Sequence, residues 1–173
     1  MTNFYDRGAI GLTAPNASRL ALRTPEQISG QYGFTIHWTG SDGTLFRPDS
    51  FDRLRTIQNY HMNVLGYGDI AYEGAFDGDG NTFGLRDSRY VGAHALGTKR
   101  GGSIPNAWTN GIVFLEDNRR WTTGASTALA WWCDLFRLTH GRVPTIYAHE
   151  YWSLTECPGP YVVNVVRFVG GHV

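Results

Sequence analysis

Gln31-Tyr32-Gly33-Phe34-Thr35-Ile36-His37-Trp38-Thr39 sets Tyr32, Phe34, Ile36 and Trp38 against Gly33, Thr35, His37 and Thr39. Alternation with a period of two marks a half-buried strand, and the spacing predicts one here. Successive side chains on a strand leave by opposite faces. His37 therefore points away from the face that holds Ile36.

Downstream, Pro48-Asp49-Ser50 offers N-cap chemistry to a helix from about 51 to 65, with Phe51, Leu54, Ile57, His61 and Leu65 near one stripe and Gly66 suited to its stop. His61 is expected on that helix face. Asp69-Ile70-Ala71-Tyr72 and Thr82-Phe83-Gly84-Leu85 read as two short strands around the turn Asp77-Gly78-Asp79-Gly80, with Tyr72 on the first. Val91-Gly92-Ala93-His94 and the loop Lys99-Arg100-Gly101-Gly102-Ser103 lead to Gly111-Ile112-Val113-Phe114-Leu115, the most apolar run and the expected central strand. That loop lacks the order of a phosphate-cradling motif. From about 124 to 140, Leu129, Trp132, Cys133 and Phe136 recur at helical spacing, Gly141 follows the end, and Cys133 beside Trp132 is expected in the core. Thr145-Ile146-Tyr147-Ala148 is a last short strand that delivers His149.

Upstream, residues 1 to about 30 show weak periodicity and turn signals at Ala14-Pro15-Asn16 and Thr24-Pro25-Glu26, which predicts a loosely structured leader packed on the domain. No repeat or linker divides the rest. The expected fold class is therefore α/β: one domain over 31–173, a central mixed sheet flanked by helices.

A chain of 173 residues can bury a core without disulfide staples. Zero formal net charge removes any case for a nucleic-acid partner read from charge, and the apolar stretches fall short of the roughly 20 residues of a membrane span, so no membrane insertion is expected. No positively charged start leads into a hydrophobic segment, which makes synthesis in a cytoplasm the expectation. Cys133 and Cys157 could form one bridge, but such a compartment disfavours it.

His149 precedes Cys157 by eight residues in Ala148-His149-Glu150-Tyr151-Trp152-Ser153-Leu154-Thr155-Glu156-Cys157-Pro158-Gly159. A thiolate and two imidazoles, with His37 as the third group, are ligands that zinc favours, and three of them leave an open position as catalytic sites do. Their spacing is not that of one helical turn, so the loop between them has to curl back, which Pro158-Gly159 helps. A zincin signature fails because residue 153 is Ser. Cys157 as a nucleophile paired with a His is the alternative.

Four segments in order carry a resemblance. Phe34-Thr35-Ile36-His37-Trp38-Thr39-Gly40, Gly68-Asp69-Ile70-Ala71-Tyr72 with Asp77-Gly78-Asp79-Gly80, Val91-Gly92-Ala93-His94-Ala95, and the block from His149 to Gly159 together resemble the type 2 N-acetylmuramoyl-L-alanine amidases, the superfamily of peptidoglycan recognition proteins and short phage lysozyme-amidases. The match covers about residues 31 to 160. It implies that His37, His149 and Cys157 bind zinc (Zn2+), that Tyr72 faces the metal as a hydrogen-bond donor or acid, and that Thr155 helps to hold an oxyanion. His94 and Trp38 become candidates for contact with substrate. Some members carry a Glu where Val113 stands here; Glu116 is not its replacement. Trp38 also departs from the family, which commonly has His there.

The implied substrate is bacterial peptidoglycan, cut between N-acetylmuramic acid and L-alanine by a monomer. A cell-wall substrate without a signal segment suggests a phage endolysin made in the host bacterial cytoplasm and released through a holin. The alternatives are a cytoplasmic amidase that recycles muropeptides, whose branch usually has Asp as third ligand, and a non-catalytic peptidoglycan-binding module.

Overall fold

The computed structural model describes residues 2–39, 49–95, 105–115 and 121–173. Pro48, the loop Lys99–Ser103 and Glu116 lie outside them.

Six strands form one mixed sheet: β1 (Phe4–Tyr5), β2 (Gly33–Trp38), β3 (Gly74–Phe76), β4 (Thr82–Gly84), β5 (Thr109–Phe114) and β6 (Thr145–Ala148), in the order β1-β4-β3-β5-β2-β6. Among these six strands the β3–β4 hairpin is antiparallel and the other strand pairings are parallel. Among the described residues seven α-helices accompany it: α1 (Arg7–Ile10), α2 (Pro25–Ser29), α3 (Ser50–Asn63), α4 (Pro105–Trp108), α5 (Thr123–His140), α6 (His149–Trp152) and α7 (Pro160–Phe168).

The sheet has apolar matter on both sides. Phe34, Ile36, Phe76, Ile112 and Phe114 pack against Leu129, Trp132 and Phe136 of α5 and Val162, Val163 and Val166 of α7. Ala75, Phe83 and Val113 face the other way, onto Leu54 and Ile57 of α3. Strand β5 is covered on both faces, which explains its unbroken apolar run. Strand β2 is covered on both faces too, so its polar alternates Thr35 and His37 are buried instead of meeting solvent.

The two long helices obey local rules. Asp49 accepts a hydrogen bond from the Phe51 N–H to start α3, and Thr122 accepts from the Ala125 N–H to start α5. Gly141 closes α5 in the left-handed region, φ 68°.

Two expectations change. Residues 69–72 form no strand, because side chains take the backbone groups a ladder would use. The Ile70 N–H donates to Asp69 Oδ1, the Ala71 N–H to His61 Nδ1, and Arg86 donates to the carbonyls of Ile70 and Asp69. The hairpin strand starts at Gly74 instead, and Tyr72 precedes it. The stretch before residue 30 is not loose either. Phe4 and Tyr5 pair with Thr82 and Phe83, Ile10 is fully buried, and Arg23 reaches the interior. Short edge strands and single buried arginines carry no periodicity, which hid both from a reading by pattern.

Candidate functional site

Strands β2 and β6 are adjacent and parallel, with Ile36 opposite Ala148. One residue further on, at the same end and on the same face, stand His37 and His149, their ring centroids 4.3 Å apart. The carboxyl ends of parallel strands are where open α/β sheets place their ligands.

From His149 the chain makes the single turn of α6 and curls back to Cys157. Trp152 pins that turn: its Nε1–H donates to Thr35 Oγ1 at 3.0 Å, and Thr35 lies 2.9 Å from Thr109 Oγ1, which donates to the Pro105 carbonyl. Gly159 closes the loop with φ 80°, and a Cβ there would stand 3.2 Å from the Trp38 ring. Cys157 Sγ ends 3.7 Å from His37 Nδ1.

His37, His149 and Cys157 each offer a ligand atom, and these atoms lie within 4.8 Å of one another. His149 Nδ1 is buried without a hydrogen-bond partner. Leaving such an atom unsatisfied costs about 1–3 kcal/mol, which a metal bond would offset. Two imidazoles, one of them with an orphaned ring nitrogen, and one thiol at that spacing fit a zinc ion. Cys133 and Cys157 are both free, so no disulfide removes a ligand.

Burial sets the protonation of the group. It drives His37 well below the usual histidine value, with His149 and His94 adding repulsion, and lowers His149 to about 4. Both rings are neutral near pH 7, as ligands must be. Burial also pushes the Cys157 thiol up to about 12, with the Trp38 backbone N–H opposing the rise. The sulfur thus needs a cation to become a thiolate at neutral pH.

Tyr72 is half-buried, its ring 5.0 Å from that of His37. Burial raises its phenol above the ordinary value of 10, with the Cys157 sulfur as a second cause. His94 lies on the far side of His37, its Nδ1 3.2 Å from His37 Nε2 and its Nε2 3.3 Å from the Thr109 carbonyl. Thr155 stands exposed at the rim, and its hydroxyl oxygen accepts from the Cys157 N–H at 3.2 Å. Together with Tyr67, His94, His149 and Ser153 it lines an open cleft of about 390 Å³.

The fold thus brings five of the seven sequence candidates together, His37, His149, Cys157, Tyr72 and His94, and sets Thr155 at the edge of their cleft. The Trp38 side chain leaves by the opposite face of β2 and packs against Gly159, while its backbone meets Cys157. Val113 is fully buried among apolar neighbours and brings no carboxylate. His61 is structural, its Nδ1 accepting from the Ala71 N–H.

Sequence reasoning missed the polar frame beneath the cluster. Arg23 and Glu73 form a buried ion pair at 3.4 Å, and Glu73 Oε2 accepts from the Gly111 N–H at 2.6 Å. Burial lifts the Glu73 carboxyl to about 7, with Arg23 and Arg86 opposing. Asn106 Oδ1 accepts from the N–H groups of His94 and Ala95. The one available signal for this frame was Thr35, a hydroxyl beside His37 in an otherwise apolar strand.

No family model matches the chain. It is 33% identical over 139 residues to peptidoglycan-recognition protein SC1a of Drosophila melanogaster, covering 76% of this chain and 70% of that protein. It is 27% identical over 117 residues to a human N-acetylmuramoyl-L-alanine amidase, covering 66% of this chain and 19% of that protein. Among solved structures, a chain of the ectodomain complex of peptidoglycan recognition proteins LCa and LCx bound to tracheal cytotoxin superposes with a TM-score of 0.80 at 22% identity, over 99% of this chain and 98% of that one.

Proposed function

The chain belongs to the peptidoglycan-recognition protein family, and from that premise we propose that it is a zinc-dependent amidase that cuts peptidoglycan between N-acetylmuramic acid and L-alanine. The observation that carries the reading is the set His37, His149 and Cys157, with ligand atoms within 4.8 Å of one another and an orphaned His149 Nδ1. Amide hydrolysis calls for three such groups beside a tyrosine, and ligand binding alone does not require them.

An amide is a weak electrophile with a poor leaving group, so its hydrolysis needs a strong nucleophile, donors for the oxyanion, and a proton for the departing amine. A zinc ion at this site would supply Lewis acidity and lower the pKa of water to roughly 7. The remaining tasks fall to the chain itself. Tyr72 keeps its phenolic proton at neutral pH and stands beside His37, placed to donate to a carbonyl oxygen as charge develops there. The Thr155 hydroxyl already accepts from the Cys157 N–H, so its own proton is free to point into the cleft. Val113 provides no base, which leaves Tyr72 or water to carry the proton to the leaving amine. The relatives named above are insect and human proteins and add nothing to the expected phage setting.

Zinc content and the release of new amino termini from purified cell walls test the reading together. One zinc per chain with wall-dependent release of amino termini is expected. Wall binding without any release, at full zinc occupancy, would instead make the chain a recognition module.

A further inference from the structure

The Thr109 carbonyl oxygen meets two donors, Arg23 Nη2 at 3.0 Å and His94 Nε2 at 3.3 Å. A carbonyl only accepts, so His94 Nε2 carries a proton. The His94 side chain has no solvent exposure, and its nearest carboxylate, Glu73 at 4.0 Å, is already engaged by Arg23 and the Gly111 N–H. A charged imidazole there would also share the Thr109 carbonyl with the Arg23 guanidinium. The ring is neutral, and its Nδ1 is a bare acceptor. What that nitrogen meets is His37 Nε2 at 3.2 Å. The proton between them therefore sits on His37 Nε2, leaving His37 Nδ1 with a free lone pair. That is the nitrogen facing Cys157 Sγ at 3.7 Å.

We infer that His94 is a positioning residue that holds His37 as its Nε2–H tautomer and so aims the Nδ1 lone pair into the Cys157–His149 cluster. The inference rests on the zinc reading of that cluster. Supporting hydrogen bonds to metal-binding histidines commonly fix tautomer and ring orientation, and their loss costs about 10–100-fold in metal affinity. The relay uses an imidazole as the acceptor and anchors it in turn on a backbone carbonyl.

The frame around His94 is built for one ring position. Its N–H and that of Ala95 both donate to Asn106 Oδ1 at 2.8 Å. A Cβ at Gly111 would stand 2.4 Å from His94 Cγ, and one at Gly92 would stand 2.7 Å from His94 Cδ2, so two glycines make room for the imidazole. Both ring nitrogens are consumed inside the protein, which leaves none for the substrate contact that the sequence suggested.

The test compares the wild type with His94→Phe, His94→Gln and Gly111→Ala, the last keeping the imidazole but crowding it. Zinc affinity is read by competition with a chromophoric chelator, folding by circular dichroism, and the His37 tautomer by 15N NMR of the metal-free wild type. We expect a His37 proton on Nε2, affinity about 10–100-fold weaker in His94→Phe, a smaller loss in His94→Gln, whose amide both accepts and donates, and a loss in Gly111→Ala. A proton on His37 Nδ1, or a folded His94→Phe with wild-type affinity, would overturn the inference while zinc binding by the wild type stood. Should His94→Phe not fold, the 15N spectrum and Gly111→Ala decide. A wild type that binds no zinc would overturn the metal reading and this inference with it.

Discussion

Burial holds the Cys157 thiol up to about 12, so near neutral pH it ionises only against a cation. In Cys157→Ser a neutral hydroxyl replaces that thiolate. The variant should stay folded, lose stoichiometric zinc, and release no amino termini from cell walls; full activity at metal-free purity would sink the zinc assignment. Tyr72→Phe deletes one oxyanion donor and leaves the ring against His37, so turnover should fall about a hundredfold with KM nearly unchanged. Equal turnover in steady-state assays would take Tyr72 out of the chemistry. His61 answers to pH. Burial lowers it from 6.5 to about 4, so the unfolded chain takes up its proton well before the folded one. The neutral ring, accepting from the Ala71 N–H, contributes stability near pH 7 that is lost as pH falls from 6.5 through about 4. A shift of that size corresponds to about 3 kcal/mol. His61→Gln, whose carbonyl can also accept from Ala71, should flatten the fall of the urea midpoint over that range by about one proton, and an unchanged slope would contradict the role.

Among the elements, those with local chemistry were legible and those held by distant side chains were not. The long helices stand within a residue or two of their expected ends, because Asp49, Thr122 and Gly141 act on backbone groups of their own helix termini. The expected strand at 69–72 is absent because His61 and Arg86 come from elsewhere to take its backbone groups. No window of sequence contains that competition. The turn of α6 depends in the same way on a distant partner, the Trp152 indole donating to Thr35 of β2. Trp152→Phe removes the donor inside a buried chain of hydroxyls and should cost about 1–3 kcal/mol, read as a lowered thermal midpoint. Because the same turn leads to Cys157, zinc should stabilise the variant less than the wild type. Equal shifts of the midpoint by zinc in both proteins would uncouple the turn from the site.

At the scale of the whole molecule, residues 2–30 are tied to the interior through buried Ile10 and Arg23. Arg23 carries the ion pair with Glu73 and donates to the carbonyls of Asn106 and Thr109, directly beneath His94. Arg23→Met strands a buried carboxyl and should destabilise the protein by about 3–5 kcal/mol in urea unfolding. Adding Glu73→Gln should recover part of that loss, since the uncompensated charge is then gone; a single variant within 0.5 kcal/mol of wild type would show the pair to be unimportant. The sequence by itself determined the α/β elements, their caps and the ligand types, since period, capping chemistry and ligand softness are properties of short segments. Only the tertiary structure decided that His37 meets Cys157 from 120 residues away and that His94 stands behind His37. The physical reason is register: pairing Ile36 with Ala148 in parallel strands sets two histidines side by side, and a buried polar frame drawn from separate segments fixes where their nitrogens point.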